Sequence, residues 1–381
     1  MPVTAHRLPQ NPLLSPEHVP PLHPGWKVVC AFNAGAIKFG GETLLLLRVA
    51  ERPARPDPQP GDQEIDLSGD APVLKPVDTA APATDYIAVP MLDDSADRQV
   101  VVRYIRRSTP GMDDSDSRLV RKGTQTFLTS ISSFRLARSR DGVVFTVDKD
   151  AALRPTEPLE RYGIEDPRIT AIDDVYYINY TAVSEHGIST ALASTRDFRQ
   201  FEKHGIIFPP ENRDVTIFPA KIGGRYRTLH RPVPKEVGVP AVWFASSDNL
   251  KDWGEHRFCF GSRPGTWDSR RIGGGAVPFR TPRGWLEVYH GVNPAGQYAL
   301  GAALLDLEEP WRVLARSPEP LLKPEARYET EGFFGNVVFT CGCILEGDRL
   351  RVYYGAADMV TAAADFSLAE ILASLQQEGA A

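Results

Sequence analysis

The sequence predicts an all-β protein, a five-bladed β-propeller with a short C-terminal helix. The 33 prolines and 31 glycines among 381 residues divide the chain into short strands. A turn followed by an alternating apolar or aromatic strand occurs five times, and the last four copies begin at 173, 223, 283 and 347. An all-β repeat of this length is typical of blades built from four-stranded sheets. A β-sandwich would also show short strands, but it would not explain the long period.

The repeated unit can be followed along the chain. Its five copies are 40–48, 173–180, 223–231, 283–291 and 347–355. A second motif, a strand end with a Ser- and Asp-containing turn, is interleaved with them at 139–145, 194–201 and 246–253. We predict that the whole chain, 1–381, forms a single domain.

Two segments depart from the repeat. Residues 53–85 are rich in Pro, Asp and Ala, which predicts a surface excursion or a partly disordered insertion. We expect neighbouring strands at 86–90, 98–107 and 125–138. At the other end, Ser367 and Glu370 form a capping-box pattern, with Phe366 and Ile371 as a hydrophobic staple. This pattern predicts a structural helix at about 366–377.

Composition excludes several classes of protein. The net charge is -6, with 42% hydrophobic and 24% charged residues, as in an ordinary globular protein. No apolar run approaches the roughly 18 to 20 residues that span a bilayer, and Lys/Arg-rich runs typical of nucleic-acid binding are absent. The four cysteines include one close pair, Cys341 and Cys343, without a second pair to complete a zinc site. We predict a cytoplasmic protein with reduced thiols and no metal site.

The stretch Glu165-Asp166-Pro167-Arg168 is the clearest candidate for chemistry. Pro167 disfavours helical angles at Asp166, so the stretch is a turn or a strand entry. A rigid carboxylate beside a cation is a candidate catalytic acid, although a lone sequence of this kind is more often a salt bridge in a loop. Side chains alternate along extended chain, so Glu165 is predicted to point away from the site that Asp166 faces.

Polar and aromatic side chains recur near the ends of the predicted inner strands, where a propeller gathers them around its channel. A single histidine there is usually structural, but recurrence at equivalent positions favours a shared pocket. The candidates are Asn33, Arg48, Asp166, Arg168, Lys221, His230, Arg231, Tyr289, His290 and Asp358.

Their chemistry suits a sugar and an anion. Cleavage of a glycosidic bond needs a general acid at the leaving oxygen, and an inverting hydrolase needs a second carboxylate to activate water. The predicted pocket is instead rich in cations, and arginine presents a bidentate fork for phosphate. Inorganic phosphate acting as the nucleophile would remove the need for a base.

Five segments carry a family resemblance: 163–168, 217–221, 229–232, 285–291 and 353–358. Together, and in this order, they resemble glycoside hydrolase family 130, from about Asn11 to the C-terminal helix, with 53–120 poorly matched. The resemblance implies a five-bladed propeller acting on β-mannosides, mostly as inverting phosphorylases and in part as hydrolases. Segments 129–138 and 267–275 look most like the branch that acts on β-1,2-mannobiose or short β-1,2-mannan.

The resemblance also implies roles for the candidates. Asp166 is the implied general acid, acting directly or through a mannose hydroxyl. Phosphate and the reacting sugar are assigned to Arg168, Lys221, His230 and Arg231. Mannose contacts are assigned to Asn33, Arg48 and Asp358, and the strand-end residues Tyr289 and His290 are predicted to bind substrate.

We therefore predict a phosphorylase that converts a β-mannoside and phosphate into α-mannose 1-phosphate, without a cofactor. The alternatives are an inverting β-mannosidase of the same fold and a non-catalytic sugar-binding propeller. The expected partners are a small oligosaccharide and phosphate, with no nucleic acid and no membrane. The linkage, the acceptor sugar and the homo-oligomeric state stay open.

Overall fold

The computed structural model describes residues 3–55, 57–69 and 71–377. This part of the chain is all-β, with two short α-helices near its end. The first strands are β1 (His6–Arg7), β2 (Trp26–Phe39) and β3 (Glu42–Pro53). An insertion follows, with β4 (Gln63–Asp66), β5 (Val73–Pro76), β6 (Tyr86–Leu92), β7 (Val100–Arg106), β8 (Met112–Asp113), β9 (Leu119–Lys122) and β10 (Gln125–Leu128). The chain then returns to pair with β3 through β11 (Ile131–Ser139), followed by β12 (Thr146–Leu153).

The remaining strands are grouped in sequence order. They are β13 (Ile164–Ile172), β14 (Val175–Ser184), β15 (Gly187–Thr195) and β16 (Glu202–Phe208); β17 (Asn212–Ile217), β18 (Tyr226–Pro232), β19 (Val242–Ser247) and β20 (Gly254–Phe260); β21 (Arg271–Gly274), β22 (Phe279–Thr281), β23 (Gly284–Val292), β24 (Tyr298–Leu305) and β25 (Val313–Arg316); and β26 (Val338–Glu346), β27 (Arg349–Ala356) and β28 (Val360–Ser367). The helices are α1 (Arg327–Thr330) and α2 (Leu368–Ser374), and three 3-10 turns lie at Pro16–His18, Ala83–Asp85 and Pro158–Glu160.

Five antiparallel sheets repeat along the chain. In order, they are β2-β3-β11-β12, β13-β14-β15-β16, β17-β18-β19-β20, β21-β23-β24-β25 with β22 added to β23, and β26-β27-β28-β1. We call them sheets 1 to 5. β1 joins the last sheet through the pairing of His6 with Asp365, so the two ends of the described chain meet in sheet 5.

Each sheet packs against the next one in sequence. β2 contacts β13, β14 contacts β17, β17 contacts β21, β23 contacts β26, and β26 contacts β2. Apolar side chains fill these contacts. Examples are Phe134 with Ile169 between sheets 1 and 2, and Phe218 with Trp285 between sheets 3 and 4. Every one of these contacts involves the first strand of at least one sheet.

Three of these first strands are interrupted at matching points. The pairing register shifts between Phe32 and Gly35 in β2, between Glu165 and Arg168 in β13, and between Arg213 and Thr216 in β17. Inside each shift one residue has left-handed backbone angles, and these residues are Asn33 (φ 48), Asp166 (φ 52) and Asp214 (φ 53). Asn and Asp tolerate this conformation better than other residues with a Cβ, and bulges of this kind redirect side chains.

The insertion is folded, which corrects the prediction of partial disorder for the described residues of 53–85. β4 and β5 belong to a four-stranded sheet with the order β5-β4-β7-β6, and β8 to β10 form a second, three-stranded sheet. Ile65 and Leu67 are buried with Phe127 and Tyr162 in one apolar cluster. The few apolar residues between the prolines are enough to hold this segment against its neighbours.

The C-terminal helix is shorter than the predicted 366–377. Phe366 and Ser367 still belong to β28, because Ser367 pairs with Arg349 of β27. The predicted cap is confirmed: the Ser367 Oγ accepts a hydrogen bond from the Glu370 N–H at 3.2 Å. Among the described helices, no segment is long and apolar enough to cross a bilayer.

Candidate active site

One large cavity, of about 1260 Å³, opens where the first strands of the sheets meet. Its wall is completed by the insertion, which contributes side chains from β5, β9, β10 and the segment before β9. The polar lining residues that matter below are Asn33, Arg48, Arg118, Glu165, Asp166, Arg213, Asp214, Arg231, His290 and Asp358.

A pair of carboxylates shares one arginine on one side of the cavity. The Asp166 Oδ1 accepts hydrogen bonds from the Asn33 Nδ2 at 2.9 Å and from the Arg48 Nη1 at 3.1 Å. The Glu165 Oε1 accepts a bond of 2.5 Å from the Arg48 Nη2. Asp358 lines the same region from the turn between β27 and β28. The structure thus brings together four predicted residues, Asn33, Arg48, Asp166 and Asp358.

The position of Glu165 corrects the prediction that it points away from the site. Simple alternation would place Glu165 and Asp166 on opposite faces. The left-handed angles of Asp166 and the bulge between Glu165 and Arg168 break that alternation, so both carboxylates reach Arg48. The Asp-Pro pair was the available sequence signal, because such pairs mark turns within an extended run.

Burial changes the acidity of two carboxyls in this group. The low-polarity surroundings raise the pKa of Glu165, and nearby Asp166 adds to the rise while Arg48 opposes it. Burial likewise raises the pKa of Asp358 to about 6, with Arg48 and Arg118 lowering it and Asp166 and Glu165 raising it. This side of the cavity can therefore hold a proton close to neutral pH.

Another side of the cavity is organised by Asp214. Its Oδ2 accepts a bond of 2.6 Å from the Arg231 Nε and lies 3.6 Å from the His290 Nε2, while its Oδ1 is 3.4 Å from the Arg168 Nη2. Burial alone would raise the pKa of Asp214, but these partners outweigh it and hold that pKa below its ordinary value. Burial lowers the pKa of His290 to about 4, so His290 is neutral near pH 7.

Two arginines face each other across the β17–β18 ladder. Arg213 pairs directly with Arg231, an arrangement that is unfavourable for like charges. Asp214 neutralises Arg231, whereas no ion pair is formed by Arg213 within the part of the chain that the structure describes. Burial, and Arg231 after it, lower the pKa of Arg213, while Glu165, Asp214 and Glu211 oppose the fall. Among the described residues, Asp214 is the one carboxylate that forms an ion pair with this pair of guanidinium groups.

Arg168 does not reach the cavity, which corrects its predicted phosphate contact. Its side chain is only 1% exposed. The Nε donates to the Gly275 oxygen at 2.9 Å, and the Nη2 donates to the Gly274 oxygen at 3.1 Å. Arg168 therefore links β13 to the end of β21, the first strand of sheet 4, and its Nη2 lies beside the Asp214 carboxylate.

Three further predicted residues also lie outside the cavity lining. Lys221 is exposed, with its Nζ 4.5 Å from the centre of the Tyr226 ring. His230 stacks on Phe208, and the Tyr289 hydroxyl donates to Asp268 at 2.7 Å. Alternation along the strands explains the last two: Arg231 and His290 face the cavity, so their preceding neighbours, His230 and Tyr289, face the sheet interior.

Arg118, Arg213 and Asp214 were missed by the sequence analysis. For Asp214 a signal was present, because Arg213-Asp214 stands in β17 where Glu165-Asp166 stands in β13. Aligning the predicted first strands, rather than the strands that follow them, would have found it. Arg118 had no such signal because it comes from the insertion. Across the described residues, no group of three or more His, Cys, Asp or Glu side chains could hold a metal ion.

The fold and the cavity define an all-β, carbohydrate-active enzyme with a carboxylate pair and a cation pair in one cavity. A family model described as β-1,4-mannooligosaccharide phosphorylase matches residues 121–377. The chain belongs to this family, glycoside hydrolase family 130. The predicted membership is confirmed, and so is the predicted class of enzyme, β-mannoside phosphorylase, at the level of the family.

The chain is also similar to individual proteins of this family. The chain is 44% identical over 377 residues to a β-1,2-mannobiose phosphorylase of Listeria innocua, covering 98% of this chain and 99% of that protein. It is 40% identical over 245 residues to a 1,2-β-oligomannan phosphorylase of a Thermoanaerobacter species, covering 63% and 80%. The solved structure of the Listeria innocua β-1,2-mannobiose phosphorylase with β-1,2-mannobiose matches with a TM-score of 0.88 and 42% identity, over 97% of this chain and 99% of that one.

Proposed function

We propose that sheets 1 to 5 are the blades of a five-bladed propeller. The order of contacts supports this architecture, because each sheet packs on the next and sheet 5 packs on sheet 1. The pairing of β1 with β28 would close the ring. The insertion lines the same cavity as the blades, so we take the chain to be one catalytic domain.

We propose that the enzyme phosphorolyses β-1,2-mannobiose or short β-1,2-mannan. One observation supports the choice of phosphate: Arg213 and Arg231 stand opposite each other in the cavity, and among the described residues Asp214 is the one carboxylate ion-paired with them. Phosphate would add a second negative charge there, bound by the two arginines with neutral His290 beside them. The names of the relatives from Listeria innocua and Thermoanaerobacter support the β-1,2 linkage.

In this mechanism Asp166 is the general acid. A phosphate oxygen attacks the anomeric carbon from the face opposite the leaving group, and the bond from that carbon to the glycosidic oxygen breaks. The leaving oxygen takes a proton from Asp166, directly or through a mannose hydroxyl. The products are α-mannose 1-phosphate and the shortened sugar. Asn33, Arg48 and Asp358 surround Asp166 and would hold the mannose hydroxyls.

The alternative, an inverting hydrolase, needs a second carboxylate to activate water from across the sugar. Glu165 does not fit that role, because its carboxylate is bound to the same arginine as Asp166 and so lies beside the acid rather than across the sugar from it. Asp214 is already engaged by Arg231 and Arg168. The position of these carboxylates favours phosphorolysis over hydrolysis.

A reducing compartment fits the cysteines. Within the described residues no disulfide joins Cys30, Cys259, Cys341 and Cys343. We propose a cytoplasmic location on this ground, since disulfides are rare there.

One experiment tests the proposed activity. The enzyme is incubated with β-1,2-mannobiose and with β-1,4-mannobiose, each with and without phosphate, and the products are identified by mass. We expect mannose and mannose 1-phosphate from β-1,2-mannobiose only when phosphate is present. Release of mannose alone, at an equal rate without phosphate, would establish a hydrolase. Turnover of β-1,4-mannobiose in preference would overturn the linkage.

A further inference from the structure

One arginine of the insertion, Arg118, contacts the acid side of the cavity. Arg118 lies directly before β9, and its Nη1 is 3.5 Å from the Asp358 Oδ2. Its guanidinium carbon stands 4.0 Å from the centre of the Phe334 ring, in the loop before β26. Asp358 and Phe334 both belong to the part of the chain that forms sheet 5. Arg118 is therefore a contact between the insertion and the opposite wall of the cavity.

This arginine is held firmly in place. The Asp116 carboxylate accepts from its Nε at 3.0 Å and from its Nη2 at 2.9 Å. The Thr129 Oγ1 donates to the Ser117 oxygen at 2.6 Å, and the Thr129 N–H donates to the Arg118 oxygen at 3.0 Å. A planar guanidinium fixed from both its backbone and its side chain is suited to orient a carboxylate.

Several charged groups surround the Asp358 carboxyl, and Arg118 is one of them. Arg48 of β3, Arg118 of the insertion, and Glu165 and Asp166 of β13 all act on this carboxyl. Arg48 already serves Glu165 and Asp166. Arg118, whose Nη1 lies 3.5 Å from the Asp358 Oδ2, is then a second cation beside this carboxyl.

We propose that Arg118 is a positioning residue, through which the insertion orients Asp358 and supplies the acid side of the cavity with its second positive charge. Arg118 lies before residue 121, where the match to the family model begins. By this proposal, the insertion contributes a residue to the active site. The proposal rests on the proposed phosphorylase function for its activity measurement.

The test compares the pH dependence of kcat/KM in variants assayed with β-1,2-mannobiose and phosphate. In Arg118→Met, we expect kcat/KM to fall by roughly three- to tenfold at neutral pH. Loss of the cation raises the pKa of Asp358. We assign the decline of kcat/KM on the acid side of the profile, the acid limb, to protonation of Asp358, so this limb should move to higher pH. Arg118→Lys keeps the charge and should bring the limb back towards that of the wild type.

A second variant has the opposite expected sign. Asp116→Asn keeps the Oδ1 that accepts from the Arg118 Nε and backbone N–H but removes the negative charge, so Arg118 should stay in place, act more strongly on Asp358 and move the acid limb to lower pH. This variant also tests the proposal if Arg118→Met does not fold. Arg107→Ala is the matched control, since Arg107 is an exposed arginine of the insertion that donates to the Thr84 oxygen away from the cavity. Its acid limb should not move.

The outcomes separate this inference from the proposed function. Inactive wild-type enzyme would overturn the proposed function itself. An active wild type whose acid limb is the same in Arg118→Met and Asp116→Asn would overturn only the role of Arg118. A double variant gives an independent measurement: after Asp358→Asn, the Arg118→Met change should cost little more, whereas multiplied losses would show that Arg118 does not act through Asp358.

Discussion

At the scale of single residues, the two adjacent acids differ in what their carboxylates do. Asp166 is held by Asn33 and Arg48 through one oxygen, which leaves the other oxygen available to a substrate. Glu165 is bound to Arg48 and is raised in pKa by burial. We therefore assign proton transfer to Asp166. Glu165 instead helps to raise the pKa of Asp358.

The residue-scale prediction compares Asp166→Asn with Glu165→Gln. The amide keeps the acceptor oxygen for Asn33 and Arg48 but cannot protonate the leaving oxygen, so kcat should fall by about 10²- to 10⁴-fold while sugar binding survives. Glu165→Gln should cost less and move the acid limb to lower pH, because Glu165 helps to raise the pKa of Asp358. Steady-state kinetics and sugar binding measure both. A larger loss of kcat in Glu165→Gln would reassign the acid.

At the scale of the element, alternation along β18 separates two neighbouring basic residues. Arg231 faces the cavity and binds Asp214, whereas His230 lies between Phe208 and the side chains of Asn212 and His256. Burial, and His256 after it, lower the pKa of His230 to about 3. His230 is thus a neutral packing residue, although the sequence places it beside the anion site.

The element-scale prediction uses this pair. Arg231→Ala should raise the KM for phosphate about tenfold or more, because a charge-assisted contact is worth roughly 1.5 to 3 kcal/mol, and should change the KM for the mannoside less. His230→Ala, the matched control, should lower the melting temperature and leave the KM for phosphate near that of the wild type. Initial rates at varied phosphate and thermal melts measure both. Equal phosphate dependence in the wild type and Arg231→Ala would remove Arg231 from the anion site.

At the scale of the whole molecule, an ion pair joins β1, near the start of the described chain, to the buried Glu329 of α1. The Arg7 Nε donates to the Glu329 Oε1 at 2.8 Å, and the Tyr354 hydroxyl donates to the same oxygen at 2.7 Å. Burial would raise the pKa of Glu329, but the bond from Arg7 and the bonds from the backbone N–H groups of Glu325 and Ala326 hold it below the ordinary value. Its ionised form therefore stabilises the fold.

The whole-molecule prediction is a pH-dependent loss of stability. A carboxyl with a lowered folded-state pKa contributes stability that is present above its unfolded pKa and is lost as the pH falls through its folded pKa. Arg7→Met should lower the free energy of unfolding at neutral pH by about 3 kcal/mol, since it leaves a buried carboxylate with one partner fewer. The difference from the wild type should shrink in acid, as measured by urea unfolding. A difference that does not depend on pH would show that Arg7 acts by packing alone.

The sequence by itself determined the repeated strands, the helix cap and the family. Alternating apolar residues between turns are a local pattern, and so is the Ser367 cap, so both could be read without knowing the neighbours. It also identified Asn33, Arg48, Asp166, Arg231, His290 and Asp358, which the structure brings to one cavity.

Only the tertiary structure decided which side chains face that cavity and what the insertion does. The left-handed bulge at Asp166 turns Glu165 inward, and regular alternation turns His230 and Tyr289 away. Arg118 reaches Asp358 across 240 positions of sequence. Such placements depend on the register between strands and on packing between sheets, and no local pattern in a single sequence encodes either one.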